Sequence, residues 1–545
     1  MKLISIAQMR AIEAEANTAG LTYDQMLQNA GLALAQVIAN EFKDDVHVLY
    51  AVGLVGTGNN GGDTLVALSA LVSAGWAASI YLVGARPPAD PLLQKLLDQN
   101  IQVVHSEQDA QFEALDELLS QAEVLLDGVL GIGVQLPLRP EIARVLGHVA
   151  GLEKRPTVVA VDCPSGIDCD SGECAPEVIP AALTVCMAAV KQGLLRAPAF
   201  EYVGQLHAVD IGLPAGLKAL DEVTNSVVTQ AQVTALLPLR SKFAHKGTFG
   251  TALIAAGSIN FTGAAFLAGK AAYRSGAGLV RMAVPGSLHT SMAGQLPEVT
   301  WLLLPHQMGV IAEAAAEVLL KNLDKADALL IGPGFGQEET TRVFVKRLFG
   351  MTNPSLYHLG AGNFGFLPRS DSQPETEAQV NVKLPPLVVD ADALKLLAKL
   401  PDWAEQLPPL SVLTPHPGEM AILTGLTVEE IQANRVEIAV RFADQWNQVV
   451  VLKGAITVIA APGQGARLIP VATSALARAG TGDVLSGIIV SLLAQGLPPF
   501  AAATAGAWLH AYAGLEAEAY LETPTSVLAS DVLESIPSVL ARLHR

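Results

Sequence analysis

At 545 residues the chain is too long for one hydrophobic core, and its length predicts roughly two to four domains. The formal charge of −18 argues against nucleic-acid and anionic-membrane partners, while a single nucleotide held by backbone amides stays compatible with it. Apolar residues reach 51%, yet no uncharged apolar run attains the ~18 residues of a spanning helix and the start lacks a signal peptide's apolar core, so a soluble cytoplasmic enzyme is expected.

Helical spacing covers Ile6 to Asn17 and Tyr23 to Phe42. Buried-strand candidates follow at Val46–Val55, Ala78–Val83, Ile101–Val104, Val124–Leu126, Val158–Val161 and Thr184–Ala188, with helical stretches between several of them. That order predicts a parallel sheet covered by helices on both faces, with ligands at the carboxyl ends of strands. Cys163, Cys169, Cys174 and Cys186 match no zinc spacing and read as free thiols.

The run Gly56-Thr57-Gly58-Asn59-Asn60-Gly61-Gly62-Asp63 joins a strand to the apolar helix Thr64–Val72. Its glycines allow close approach of a pyrophosphate, but the acidic residue expected about 20 positions later is missing, and a tight strand-to-helix turn is the alternative. Two further strand ends, at Asp127 and at Asp162 to Ser165, are expected to converge here. Asn60, Asp127 and Ser165 offer an amide, a carboxylate and a hydroxyl. So sparsely charged a set of oxygens suits K⁺ better than Mg²⁺ or Zn²⁺. Asp162 is left free for proton transfer, or serves as a turn former.

Residues 221–240 read as a linker. A second α/β pattern follows, with strands expected at Thr251–Ala256, Gly278–Val284, Ala328–Ile331, Leu387–Val389, Ser411–Leu413, Val449–Leu452 and Ile456–Ala460. Residues 353–385 fit neither period and read as an excursion or partly disordered loop. Near the end, Ala479-Gly480-Thr481-Gly482-Asp483 opens the apolar run Val484 to Leu493. Glycines at a helix start let bare N–H groups converge into an anion hole suited to phosphate. An Asp in such a hole is unfavourable unless it takes a proton, which marks Asp483 as a base acting on a hydroxyl beside a phosphoryl group. The bland alternative is an ordinary first-turn Asp.

Together these motifs carry a specific resemblance. Gly56–Asp63, Leu125–Gly133, Val161–Asp168 and Lys191-Gln192-Gly193-Leu194 resemble the NAD(P)H-hydrate epimerase domain. His245-Lys246-Gly247, Thr262-Gly263-Ala264, Gly332–Gly336, Asp390-Ala391-Asp392, Thr414–Glu419, Leu452-Lys453-Gly454 and Ala479–Asp483 are similar to the ADP- or ATP-dependent NAD(P)H-hydrate dehydratase. In this order the pair resembles the bifunctional NAD(P)H-hydrate repair enzymes. The resemblance implies two three-layer αβα domains, Rossmann-like over 1–220 and ribokinase-like over 241–545. The first would interconvert R and S hydrates, and the second would dehydrate the S form while converting ADP (or ATP) to its lower phosphate.

By the same resemblance, the hydrate lies against Asn59, Asn60, Gly61, Gly62 and Asp63, against Gly131, Ile132, Gly133, Val134, Gln135, Leu136 and Pro137, and against Asp162. K⁺ lies between Asn60, Asp127 and Ser165. In the second domain Ala264, Gly334 and His416 meet the hydrate. Lys453, Gly454, Ala455, Ile456, Thr457, Gly480, Thr481 and Gly482 meet the nucleotide, with Mg²⁺ screening its phosphates. A homo-oligomer is expected from the fold family. The chain departs from the family pattern at Ala472-Thr473, where Gly-Asn is usual, at Thr64 after the Gly61-Gly62-Asp63 run, and at Gln135, where Arg is common. Competing readings are a ribokinase-like small-alcohol kinase, which would leave a stable phosphorylated product, and a non-catalytic sensor of NAD or ADP-ribose metabolites.

Overall fold

The computed structural model of the chain describes residues 1–43, 47–87, 89–350 and 384–543. The expected 353–385 excursion falls, apart from its last two residues, outside them. The chain divides into two compact units, Met1–Val227 and Val228–Arg545.

In the first unit, helices α1 (Ile6–Thr18) and α2 (Tyr23–Glu41) each start at a capping box, built by Ser5 and Thr22. Strand β1 (Tyr50–Val55) leads into α3 (Asn59–Ser73). Strands β2 (Ala77–Leu82), β3 (Gln102–His105), β4 (Val124–Gly128), β5 (Thr157–Val161), β6 (Leu183–Met187) and β7 (Gln205–Val209) complete a sheet in the order β3-β2-β1-β4-β5-β6-β7. Every pairing in it is parallel.

Alternate residues feed two cores. Ala51 and Val55 of β1 pack with Met9, Leu34 and Leu68 of the first three helices. Val52 and Leu54 pack on the opposite face with Leu115 and Leu118 of helix Glu113–Gln121 and Val145 of helix Pro140–Ala150. Both faces being covered, each strand reads as a continuous apolar run, and each fully buried Leu or Val contributes about 1.5–3 kcal/mol. The strand order reverses at β1, flanked by β2 and β4, so their carboxyl ends frame a crevice.

The second unit repeats the plan. Its strands are β8 (Thr251–Ala255), β9 (Leu279–Pro285), β10 (Thr300–Leu304), β11 (Ala328–Ile331), β12 (Leu387–Val389), β13 (Val412–Leu413), β14 (Val449–Leu452), β15 (Val458–Ala460) and β16 (Ala466–Leu468). They run in the order β16-β15-β14-β13-β12-β11-β8-β9-β10. Only the β14–β15 and β15–β16 pairs in this series are antiparallel. Helices α4 (Thr262–Arg274), α6 (Thr481–Ala494), α7 (Pro499–Leu521) and α8 (Ala529–Leu543) share one core with β8, β9 and β11, while α5 (Pro417–Thr424) follows β13. Here the order reverses at β8, between β9 and β11.

The 221–240 stretch is more than a connector. Helix Gln230–Leu236 has its own capping box at Thr229, and Val228 and Val233 are buried in the second core. Its polar residues, which suggest a linker in the sequence, are the cap and the outer face of that helix.

Candidate functional site

In the first unit the glycine run closes tightly on itself. A Cβ at Gly56 would lie 1.9 Å from the Val129 carbonyl oxygen, and one at Gly61 would lie 2.1 Å from that of Gly56. These two glycines therefore serve contact between backbone segments rather than pyrophosphate approach, whereas Gly58 faces open space. Gly58 is the N-cap of α3 and no side chain caps it, in contrast with Ser5 and Thr22. The first-turn amides from Asn59 onward are left for a ligand.

Asn60 Nδ2 donates to the carbonyls of Leu130 (2.9 Å) and Val161 (2.6 Å), tying the helix start to the ends of β4 and β5. Asp127 is fully buried and accepts from the Ser165 amide (2.8 Å) and hydroxyl (2.6 Å). Ser165 Oγ also lies 3.3 Å from the Leu130 oxygen, so Asn60, Asp127 and Ser165 meet around that carbonyl. Burial raises the Asp127 carboxyl, its hydrogen bonds from Ser165 oppose the rise, and no cationic side chain among the described residues pairs with it. A buried carboxylate with uncharged oxygen neighbours fits one monovalent cation.

Asp162 is not left free. At φ 65° it accepts from the Met187 amide (2.8 Å) and from Lys191 Nζ, which also reaches the Met187 carbonyl (3.0 Å). Lys191 is 1% exposed; burial opposes its charge, but Asp162, joined by Cys186 and Cys163, outweighs this and the ammonium pKa ends raised. Asp63 is buried nearby, and burial first, then Asp162, pushes its carboxyl well above the usual range. Glu13 rises for the same two reasons, with Lys191 opposing. The crevice thus holds an ion pair beside two carboxyls that burial and Asp162 push upward. Lys191 and Glu13 have no assigned role in the sequence reading, because nothing local points from Asp162 to a lysine 29 residues on. The 131–137 loop, carrying Gly131 to Pro137, connects β4 toward helix Pro140–Ala150 and ranges from half-buried to exposed.

In the second unit, successive strand ends carry the polar groups. Asp390 follows β12 and is 1% exposed; its Oδ1 accepts from Thr414 Oγ1 (2.7 Å) and Lys453 Nζ (2.9 Å). Lys453 follows β14 and also lies 3.7 Å from Glu419, which sits 3.6 Å from Lys395. Lys395 in turn pairs with Asp392, whose Oδ2 accepts from the Gly336 amide (3.0 Å). Each carboxylate has an ammonium partner, and no cluster of three His, Cys, Asp or Glu suited to a metal exists among the described residues. Such a donor set fits Mg²⁺ carried mainly by nucleotide phosphates and water.

His416 is the N-cap of α5. Its Nδ1 accepts from the amides of Gly418 (3.0 Å) and Glu419 (3.3 Å), which leaves Nε2 to carry the ring proton, and burial lowers its pKa against the pull of Glu419. Gly334 packs on Ala264: a Cβ there would lie 2.8 Å from the Ala264 Cβ. Gly454 and exposed Ala455 form the turn after β14, where Arg435 holds the Leu452 (3.0 Å) and Lys453 (3.2 Å) carbonyls. Ile456, at φ 57°, bonds Val471, and Thr457 Oγ1 donates to Gly454 (3.2 Å).

Gly480, at φ 93°, is the left-handed N-cap of α6 and leaves that end without a side-chain cap. Thr481 Oγ1 turns away to the carbonyls of Leu476 (3.0 Å) and Arg478 (2.9 Å). A Cβ at Gly482 would lie 3.4 Å from Lys453 Nζ, which brings the α6 start beside the strand-end network. Asp483 stands in that first turn. Its carboxyl is raised to about 7 by burial, then by Asp390, with Lys453 opposing. Behind it, buried His510 contacts the Thr481 backbone, and burial lowers its pKa to about 4. A histidine in the middle of an apolar helix gives no sequence signal for that place. Thr473, where the family pattern has Asn, instead caps Ala475 (3.0 Å) and donates to Glu518.

Comparison with known proteins then finds two family models, one described as YjeF-related protein N-terminus over residues 23–193, the other as NAD(P)H-hydrate dehydratase over 252–380 and 365–538. A bifunctional NAD(P)H-hydrate repair enzyme of Moorella thermoacetica is 35% identical, covering 100% of this chain and 97% of its own length. One from Escherichia coli is 31% identical, with 96% and 91% covered. A solved ADP/ATP-dependent NAD(P)H-hydrate dehydratase from Bacillus subtilis, co-crystallised with ATP and Mg²⁺, is 31% identical, covers 58% of this chain and 98% of its own, and gives a TM-score of 0.45. The chain belongs to the family of bifunctional NAD(P)H-hydrate repair enzymes.

Proposed function

We propose that the chain repairs hydrated nicotinamide cofactors in two steps, each in its own unit: R and S hydrates are interconverted at the Asp162 site, and the S hydrate is dehydrated at the Asp483 site as ADP is converted to AMP and phosphate. The observation that carries the second step is Asp483 in the first turn of an uncapped helix start, with its carboxyl at about 7. Asp483 takes the proton of the C6 hydroxyl as that oxygen attacks the terminal phosphorus of the nucleotide. The amides from Gly480 to Gly482 and Lys453 hold the phosphoryl oxygens while charge develops. The C6–O bond then breaks with its electron pair leaving on phosphate, the ring nitrogen supplies electrons, and loss of a C5 proton restores the reduced ring.

In this reading Lys453 to Thr457 position the nucleotide, and Ala264, Gly334 and His416 the hydrate. Mg²⁺, when bound, neutralises phosphate charge. In the first unit, Asn59 to Asp63 and Gly131 to Pro137 would hold the hydrate, with Asp162 and Lys191 exchanging protons with it. K⁺, when bound between Asn60, Asp127 and Ser165, supplies the countercharge that Asp127 lacks and fixes the β4 and β5 ends. The proposed setting is the cytoplasm, with a homo-oligomer as the proposed assembly; among the described residues no helix is long and apolar enough to cross a membrane.

The test follows chemically hydrated NADH by the absorbance of the restored ring, with ADP and then ATP. Recovery with either is expected; none with both would remove the reading, and accumulation of a phosphorylated alcohol would identify a kinase. Exchanging K⁺ for Na⁺ is expected to slow interconversion of R and S but spare dehydration of S.

A further inference from the structure

Helix α7 carries Gly506, His510 and Gly514 at four-residue intervals, so the three share one face. A Cβ at Gly506 would lie 2.6 Å from Ile489 Cγ1 in α6, and one at Gly514 would lie 2.7 Å from the Leu476 side chain, in the loop that leads into α6. The two glycines let α7 lie close along α6 and its approach. One turn further on, Glu518 accepts from Thr473 at the start of that loop. Between the glycines, the His510 ring meets the Thr481 backbone, in the first turn of α6.

That contact favours the protonated ring, so its partner is the Thr481 carbonyl. His510 Nε2 is buried with no partner among the described residues, which leaves Nδ1 as the donor. Burial outweighs the contact and lowers the pKa to about 4, Lys453 acting with it and Asp390 against it, so the ring is uncharged at neutral pH. A buried nitrogen without a partner carries a cost that an apolar side chain at this place in an alanine-rich helix would avoid. The cost is borne where the α6 start has little else to fix it. Thr481 Oγ1 is engaged by the Leu476 and Arg478 carbonyls, and no side chain caps Gly480.

We propose that His510 is a positioning residue of the dehydratase unit: its ring N–H, donated to the Thr481 carbonyl, fixes the first turn of α6 and with it the Gly480–Gly482 amides and Asp483 in the orientation that phosphoryl transfer needs. The proposal rests on the dehydratase reading of the second unit.

The full-length protein and its His510→Leu, His510→Asn and His510→Gln variants are assayed for dehydration of S NADH hydrate with ADP and with ATP, kcat and KM being measured separately. The Asn amide nitrogen takes the place of Nδ1, that of Gln the place of Nε2. His510→Leu and His510→Gln are expected to lose about a hundredfold in kcat with KM for both substrates within about twofold of the parent. His510→Asn, which keeps the donor, is expected to stay within about threefold of the parental kcat. The urea midpoint of His510→Leu is expected to equal or exceed the parent's, because the orphaned nitrogen is gone; activity and stability then part, as they would not for a merely structural histidine. Parental kcat in His510→Leu, a urea midpoint that falls in step with its kcat, or equal losses in His510→Asn and His510→Gln would overturn the proposal and leave the dehydratase reading intact. Should His510→Leu fail to fold, the Asn and Gln pair decides. Failure of the wild-type protein to dehydrate the S hydrate with either nucleotide would instead remove the dehydratase reading, and this role with it.

Discussion

At the scale of a residue, the proton-transfer role proposed for Asp483 rests on what surrounds it. Burial, then Asp390, lifts its carboxyl to about 7, and Lys453 keeps the rise from going further. A base tuned near the working pH has both an ionised fraction and a drive to take the proton. Dehydration is therefore expected to fall on the acid side with an apparent pKa near 7. The same shift has a stability consequence. Between about pH 4 and pH 7 the folded state holds a proton that the unfolded chain has released, so stability falls as pH rises through that window and the cost is complete above it. Asp483→Asn removes this titration. Urea unfolding should show the variant more stable than the parent by on the order of 2–4 kcal/mol at pH 8, the gain shrinking toward pH 5. Equal gains at both values would mean that the carboxyl is not held near 7. Activity and stability are thereby opposed at one side chain, as expected for a charge kept buried for chemistry.

At the scale of elements, both units place polar groups at the carboxyl ends of parallel strands, and this much is legible in the sequence. Interior strands read as Val, Ile and Leu runs because helices cover both faces, and Asp127, Asp162 and Asp390 at the ends of β4, β5 and β12 stand out against them. Strand β7 escapes notice, since Gln205 and His207 are polar, exposed and break the apolar run. The short β16 offers three residues, too few for a period. What the sequence withholds at the sites is pairing across the fold: Lys191 with Asp162, and Lys453 with Asp390 from 63 residues away. It also withholds strain. Ala391, between β12 and helix Asp392–Leu397, holds φ 52° and ψ −122°, a region costly for any residue with a Cβ. It is kept there because Asp390 is tied to Thr414 and Lys453 on one side and Asp392 to Gly336 on the other. Gly332 permits the approach, since a Cβ there would lie 1.9 Å from the Asp390 oxygen. Ala391→Gly should relieve the strain by more than it costs in unfolded-chain entropy, a net gain of about 1 kcal/mol in urea unfolding. A loss of stability would mean that the turn is unstrained.

At the scale of the whole molecule, the chain carries two doubly wound sheets, each with its own carboxyl beside a lysine: Asp162 paired with Lys191, and Asp483 under the influence of Lys453. Neither proposed reaction uses a group of the other unit, and the S hydrate made by one is the substrate of the other. If each step is self-contained, the intermediate can pass through solvent, and two damaged chains can complete the work of one intact chain. An Asp162→Asn variant should dehydrate S hydrate at the parental rate but restore R hydrate only as fast as it epimerises unaided. An Asp483→Asn variant should restore neither, while still interconverting them. Mixed in equal amounts with R hydrate and ADP, the two should recover the reduced ring well above the rate of either alone. The mixture should also reach the parental rate as the Asp483→Asn variant is raised in excess, because supply of the S form then ceases to limit. A mixture no faster than Asp162→Asn alone would show that the hydrate does not leave one chain for another, or that each site depends on the integrity of its neighbour. Assaying the Asp162→Asn variant on pure S hydrate separates those outcomes, since a dependent dehydratase would be slow there as well.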